Sequence, residues 1–365
     1  MTRTCFTNQP RRGKILFYLL LCALCLTFIT YGASFKASIS FANTRSNVIS
    51  CVDRDLPVVY MVNDPHIYYY FEDWVSPLIF SLGMAMNVVY FSVKPDIEQR
   101  IVTLQDSLRA GDTVLLLQQS FNIQMKDQVQ YWFLNTEGPD KPFIDVAVSI
   151  GIKNVIDYST FNAARHLENN GTETSLWLPI ISSSSVTIHD HRDKMCMVGG
   201  ANTERRKKFR DEFNTAALQL GADVSVFEIH GWNYFRDYAS QTCALVVNVA
   251  SVENNHATPR LRLDILWQFD VPIISEEMSG NETLEYNGTV TFVPMSELIN
   301  ATLKQWEIVT SPRNEDEEIS RIHRVELKVA IQKTRRIQFQ KVVQAITWKS
   351  ILFHLNKKAD CQTKD

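Results

Sequence analysis

Short apolar runs alternate with amphipathic stretches along most of the chain, and the alternation starts at residue 56. Leu56–Val62 and Asn87–Val93 read as strands, with helices at Asp73–Met86 and Ile97–Ala110. Gly111-Asp112 turns the chain into a strand at Thr113–Gln118, Tyr131–Glu137 extends again, and Pro142–Ile150 reads as a buried helix. Asn154–Ser159 makes a strand with a polar end. A second series opens at Lys194, where a strand runs into Gly199-Gly200 and then a helix bearing Arg205, Arg206, Lys207 and Lys208. Strands at Val224–Glu228, from Cys243, at Val271–Ser275 and at Thr289–Val293 follow, with a helix over Pro259–Phe269. Glu315–Leu355 is rich in helix formers. Ile322, Val325, Val329, Ile331, Ile337, Val342, Val343 and Ile346 give it an apolar stripe, which Trp348, Ile351, Leu352 and Leu355 extend.

Alternation of this kind predicts an α/β protein with two Rossmann-like domains built on parallel sheets. The first domain covers 56–181, a linker with Ser182–Ser185 covers 182–193, the second domain covers 194–310, and a helical segment covers 311–365. That last helix could pack back across the domain junction, with Arg335 and Arg336 as surface charges.

The N-terminus changes the picture. Ile15–Phe35 carries no charge over 21 residues, enough to span a hydrocarbon core of about 30 Å. Arg3, Arg11, Arg12 and Lys14 precede it and only Lys36 follows closely, which places residues 1–14 in the cytosol and the body across the membrane. The chain reads as a single-pass type II protein of the Golgi or endoplasmic reticulum membrane, with 36–55 as stem. Gly32, Ala33 and Ser34 keep a cleaved signal peptide as the competing reading. Sequons at Asn170, Asn281, Asn287 and Asn300 agree with a lumenal body. Cys51, Cys196, Cys243 and Cys361 then lie where disulfides persist. Cys51 and Cys361 could tie the ends of the body together, while Cys196 and Cys243, in buried strands, read as free core thiols. The net charge of -3 gives no basic excess and argues against a nucleic-acid partner.

The candidate chemistry gathers where strands end, the edge at which open α/β sheets bind ligands. Asn248 interrupts an apolar strand, Thr258-Pro259 caps the following helix with Arg260, Arg262 and Asp264, and Ser275, Glu276 and Glu277 close the next strand. Gly199 and Gly200 let the backbone approach a phosphate, and the helix behind them offers free N–H groups and the forked donors of Arg205 and Arg206. Asp64 and His66 follow the first strand, where a general base could stand. Each residue has a plainer reading, the arginines as solvated helix charges and Asp64 with His66 as a hydrogen-bonded loop pair. Asp53-Arg54-Asp55 has metal-binding spacing but precedes a strand, and reads as stem.

Taken together, these pieces resemble the GT-B glycosyltransferases, over roughly residues 110 to 280. The resemblance rests on Gly199 to Arg206, Asn248, Arg262 and Ser275-Glu276, with Asn135-Thr136-Glu137, Asp157-Tyr158-Ser159 and Asn162 in the first half. It implies a secretory-pathway transferase that takes a nucleotide-sugar donor without a metal or other cofactor, and a glycan, glycoprotein or glycolipid acceptor. The diphosphate would face Gly199, Gly200, Arg205 and Arg206, with Arg262 neutralising the departing phosphate. Glu276 or Glu277 would hold sugar or ribose hydroxyls, and the acceptor would lie near Glu137, Asp157 and Tyr158. The chain departs from the pattern at Ala250, where the family has histidine (His256 lies beyond), and at Pro259, where it has glutamate. Those departures imply the alternative, a catalytically degenerate lectin or scaffold of the same compartment.

Overall fold

The computed structural model describes residues 56–136, 143–169, 172–181, 192–229, 241–250, 260–266, 269–277, 281–311 and 315–362, with Ala239 and a two-residue strand at 40–41. The apolar segment 15–35, the linker serines, Glu137, Asn170 and Pro259 lie outside them. Among the described residues no helix is long and apolar enough to cross a membrane.

In chain order the elements are β1 (Ser40–Phe41), β2 (Val58–Asn63), α1 (Pro65–Gly83), β3 (Asn87–Ser92), α2 (Ile97–Ser107), β4 (Thr113–Leu117) and β5 (Gln130–Asn135). Then come α3 (Phe143–Ser149), β6 (Asn154–Asp157), α4 (Thr160–Asn169), β7 (Thr174–Trp177), β8 (Lys194–Val198), α5 (Glu204–Gln219) and β9 (Val226–Ile229). The chain continues through β10 (Cys243–Asn248), α6 (Arg260–Leu266), β11 (Ile273–Glu276), a 3-10 turn at Asn281–Tyr286 and β12 (Thr291–Val293). It ends in α7 (Met295–Thr310) and α8 (Glu315–Gln362). The sequence pattern missed α4, β7 and α7.

The strands form two sheets, ordered β1-β3-β2-β4-β5-β6-β7 and β12-β11-β10-β8-β9, and each described pairing is parallel. Parallel sheets need cover on both faces, so their central strands are uniformly apolar. All five residues of β4 are buried. In the first sheet one face packs Trp132 and Leu134 against Trp74, Leu78, Phe339 and Ile346, while the other packs Phe133 against Ile101, Leu104 and Ile144. The second sheet lies between Leu263, Leu266 and Tyr286 on one side and Phe209, Phe213 and Leu298 on the other.

Helix α1 begins at Pro65, ahead of the start at Asp73 that hydrophobic periodicity suggests. Asp64 accepts the His66 backbone N–H at 2.9 Å, and Pro65 takes a first-turn position where a missing N–H costs nothing. The polar residues after β2 are thus a helix cap.

Helix α8 touches both lobes. Its first half pairs Arg321 and Arg324 with Asp270 and donates Lys328 Nζ to the Phe269 carbonyl at 2.9 Å. Its second half sends Lys349 to Asn154 at 2.8 Å and links the Ser350 and Thr113 hydroxyls at 3.0 Å. The single apolar stripe expected on this helix is two faces. Val342, Val343, Ile346 and Ile351 are buried, whereas Ile322, Val329, Ile337, Trp348, Leu352 and Leu355 are exposed. Arg335, expected at the surface, is buried and ion-paired, because it meets Asp264 and Glu285 of the second lobe.

Cys196 and Cys243 are joined in a disulfide, correcting the free-thiol expectation. They lie on neighbouring strands β8 and β10, where an irregularity between Cys243 and Leu245 shifts the register, and their Cα atoms are 5.7 Å apart, within disulfide reach. A sequence separation of 47 gives the cross-link a loop-closure contribution of about 4 kcal/mol. Cys196→Ala/Cys243→Ala is therefore expected to lower the unfolding free energy of the second lobe by that amount, seen as a denaturant midpoint at lower concentration. An unchanged midpoint would assign the bond no such role.

Candidate functional site

Because each sheet is parallel, its strands end along one edge, and polar residues are buried there: Asn63, Asn135, Asp157, Asn248, Ser275 and Glu276. In the second lobe Asn248 and Ser275 sit in register on β10 and β11, and Asn248 Nδ2 donates to Ser275 Oγ at 2.9 Å. This polar rung explains why an asparagine interrupts the apolar strand. Its amide oxygen accepts from Arg262 Nη1 at 3.4 Å.

Arg206 lies in the first turn of α5, which Thr203 caps, and is almost completely buried. Its Nε donates to the Val249 carbonyl at 3.0 Å, and Nη1 to Asn202 Oδ1 at 2.9 Å and the Gly199 carbonyl at 3.3 Å. Nη2 is buried with no hydrogen-bond partner among the described residues. Gly199 has φ +88, and a Cβ there would stand 2.8 Å from Arg206 Nη1. The first glycine therefore makes room for a guanidinium in this structure. Gly200 follows at φ 59, and the next N–H, of Ala201, is held by Glu228 at 2.8 Å, a carboxylate that also pairs with Arg210.

Arg262 is half-buried on α6. Burial and the nearby Arg206 charge push its pKa down to about 10, partly opposed by Tyr158 of the first lobe. A guanidinium with that pKa still carries its charge at neutral pH. Among the described residues neither Arg206 nor Arg262 has a carboxylate partner. Two desolvated cations without counter-ions, beside a tyrosine of the opposite lobe, form a place that favours an anion.

Other residues anticipated at the site have protein partners. Arg205 pairs with Glu276 Oε1, and Glu276 Oε2 accepts the Ala250 N–H at 3.0 Å, so the carboxylate expected to meet hydroxyls is occupied. Glu277 is exposed, and its N–H continues the sheet to Val293. Asp264 does not face a donor: it is buried between Arg335 at 2.7 Å and the Tyr286 hydroxyl at 2.5 Å. Arg260 opens α6, two residues before Arg262.

In the first lobe Asp157 turns inward. It accepts from Asn135 Nδ2 at 2.7 Å and the Ser159 N–H at 2.8 Å, and lies 2.9 Å from His166 Nε2. Burial pushes its pKa up against the His166 and Asn135 hydrogen bonds. Asp157 is thus a buried knot that ties β5, β6 and α4 together. Tyr158 follows it, edge-on to Trp74 at 6.2 Å. Asp64 is a helix cap whose second oxygen meets Lys94 at 3.1 Å, and His66 is exposed in the turn it caps. Beyond the β4 end a groove of about 600 Å³ is lined by Ile97, Val102, Gln105, Gln119 and Phe121. Phe121 and Asn122 in its wall have left-handed φ, as does Gln118 just after β4. No group of three or more His, Cys, Asp or Glu side chains suited to a metal occurs among the described residues.

Sequence reasoning missed Asn202, Glu228 and His166. Asn202 stands four residues before Arg206 at helical spacing, a signal that was available, whereas Glu228 and His166 depend on strand order.

No family model and no curated protein matches this chain. Solved structures with a similar layout include glycosyltransferases. The T4 phage BGT structure in complex with its UDP-glucose substrate superposes at TM-score 0.47 with 12% identity, over 81% of this chain and 99% of that one. TarM gives 0.44 at 10%, over 70% of this chain and 57% of that one. A glycosyltransferase from Rickettsia africae gives 0.42 at 11%, over 85% and 98%. The chain thus matches little more than half the length of TarM. At these values the superpositions assign no chemistry to any residue.

Proposed function

We propose that this chain is a nucleotide-sugar glycosyltransferase whose donor diphosphate sits between Arg206 and Arg262. The observation that carries the reading is that pair of desolvated guanidiniums, unmatched by carboxylates among the described residues and standing where the strands end. A diphosphate supplies the missing negative charge, and forked donors suit its oxygens. As an acceptor oxygen bonds to the anomeric carbon and the bond to the diphosphate breaks, charge grows on the leaving group. Preorganised cations stabilise that charge more than the ground state. They make the scheme independent of a metal or other cofactor.

Tyr158 closes the site from the first lobe, and the groove beside Gln119 and Val102 offers neutral amides and apolar walls to a glycan, glycoprotein or glycolipid acceptor. Asp64 or His66 is the proposed base, which requires the α1 cap to loosen on binding. Gly200 and Arg205 would turn to the phosphates, and Glu276 would release Arg205 to accept ribose or sugar hydroxyls. We place the body in the Golgi or endoplasmic reticulum lumen behind the 15–35 anchor. The disulfide, and the exposed sequon residues Asn287 and Asn300, support that placement.

The occupied Glu276 favours a second reading, a degenerate lectin or scaffold. Thermal unfolding with UDP, GDP, CMP and their sugars, in the presence of a chelator, separates the two. A bound nucleotide at a hundred times its Kd adds about 2.7 kcal/mol to stability. Stabilisation by one nucleotide class supports the transferase, and none by any of them supports the scaffold.

A further inference from the structure

We infer, resting on the diphosphate reading of the site, that Glu228 is a resident anion: its carboxylate holds the Gly199–Ala201 loop where a phosphate would, and the donor binds by displacing it. Glu228 stands at the ligand edge because β9 runs parallel to β8 with Glu228 level with Met197, one residue before each strand ends. From there it meets two donors at once. Oε2 accepts the Ala201 N–H at 2.8 Å, and Oε1 takes Arg210 Nη1 at 2.8 Å. A backbone amide just past a Gly-Gly turn, together with a guanidinium on the helix that follows, is the donor set that suits a phosphate oxygen. In the empty protein a carboxylate fills it.

The same construction occurs twice. On β11, Glu276 accepts the Ala250 N–H with Oε2 at 3.0 Å and pairs with Arg205 through Oε1. Both arginines lie on α5, and both amides lie just beyond a strand, Ala201 after β8 and Ala250 after β10. β8 and β10 are the neighbouring strands at which the sheet order reverses, with β9 on one side and β11 and β12 on the other. Ligands of open α/β sheets bind at that reversal. Arg206 joins the two loops there, with Nη1 on the Gly199 carbonyl and Nε on the Val249 carbonyl. The loop carbonyls thus hold a cation, and the loop amides hold carboxylates. An ordinary cap accounts for one such glutamate. Two, matched across the reversal and set on the loops that border Arg206, mark places made for an anion. A diphosphate that takes the Ala201 N–H breaks the Glu228 bond to it, and the carboxylate repels the ligand until it leaves. Removing the carboxylate therefore tightens anion binding, whereas removing a group that touches the ligand loosens it.

The test is titration calorimetry of the full-length chain in detergent with pyrophosphate, UDP and GDP. Pyrophosphate carries both phosphoryl groups and neither ribose nor sugar. Glu228→Gln keeps an oxygen for the Ala201 N–H but loses the charge, and is expected to bind pyrophosphate about threefold more tightly than the unaltered protein. Glu228→Ala also frees the amide, and is expected to bind it about tenfold more tightly. Weaker binding of UDP or GDP by both variants with pyrophosphate unchanged would make Glu228 a ribose ligand. Unchanged affinity for all three probes with a lower melting temperature would make it a structural cap. Either result overturns the displacement, and so does a failure of pyrophosphate to bind any of the three proteins. The nucleotide melts of the unaltered protein decide the transferase reading separately. Tighter pyrophosphate binding by the variants, with no nucleotide bound by any of them, would keep the resident anion and discard the sugar donor.

Discussion

Arg262→Met is expected to weaken binding of the stabilising nucleoside diphosphate by about a hundredfold while leaving the empty protein as stable as before, or more so. The two signs share one cause. In the empty site Arg262 is a desolvated cation with Arg206 close by, one long hydrogen bond to Asn248 and no carboxylate among the described residues. Replacing such a charge with an apolar side chain of similar length removes a cost to folding. With the diphosphate bound, the same charge supplies charge-assisted hydrogen bonds worth about 1.5–3 kcal/mol each. Arg206→Met should behave differently, because it strips donors from the Val249 and Gly199 carbonyls and from Asn202, and so weakens binding and fold together. Titration calorimetry and thermal melts of the two variants decide the matter. Unchanged affinity in Arg262→Met would remove Arg262 from the site, and a large loss of stability would make it structural.

How much of this could be read in advance depends on the kind of residue. Parallel strands buried on both faces announce themselves, as Val58–Asn63 and Thr113–Leu117 do, because apolar cover above and below leaves no room for polar alternation. Asn248 and Ser275 were visible as polar breaks in such strands. The start of α1 was hidden because Asp64-Pro65 looks the same as strand-end chemistry and as a cap. Arg205 and Arg206 are adjacent letters with opposite fates, one paired to Glu276 and one folded over Gly199, and only the winding of α5 separates them. The disulfide and the Asp157–His166 contact depend on which strands and helices become neighbours, which chain order does not state. On α8 periodicity found the apolar positions but not the two faces, since an apolar side chain carries no record of what covers it.

Arg335→Met is expected to cost about 3–5 kcal/mol of stability. Arg335 is fully buried, meets Asp264 at 2.7 Å and Glu285 at 2.7 Å, and lies over the Tyr286 ring. Removing it takes the guanidinium from the buried Asp264 carboxylate, which also accepts from the Tyr286 hydroxyl, and breaking a buried ion pair from one side is far costlier than removing both charges. Arg335→Met/Asp264→Leu should therefore recover most of the loss, because both charges leave together. The pair also orients α6: Asp264 fixes one side of that short helix to α8, and Arg262, two residues earlier, faces Asn248 and the neighbourhood of Tyr158. Arg335→Met should accordingly weaken diphosphate binding as well as lower the melting temperature, although it lies in a different helix from the site. A double variant that regains stability but not affinity would show that the ion pair sets the angle of α6 beyond holding it in place. If Arg335→Met alone melts like the unaltered protein, Asp264 takes up a proton or another partner at no cost, and the pair has no hold on the arginine at the site.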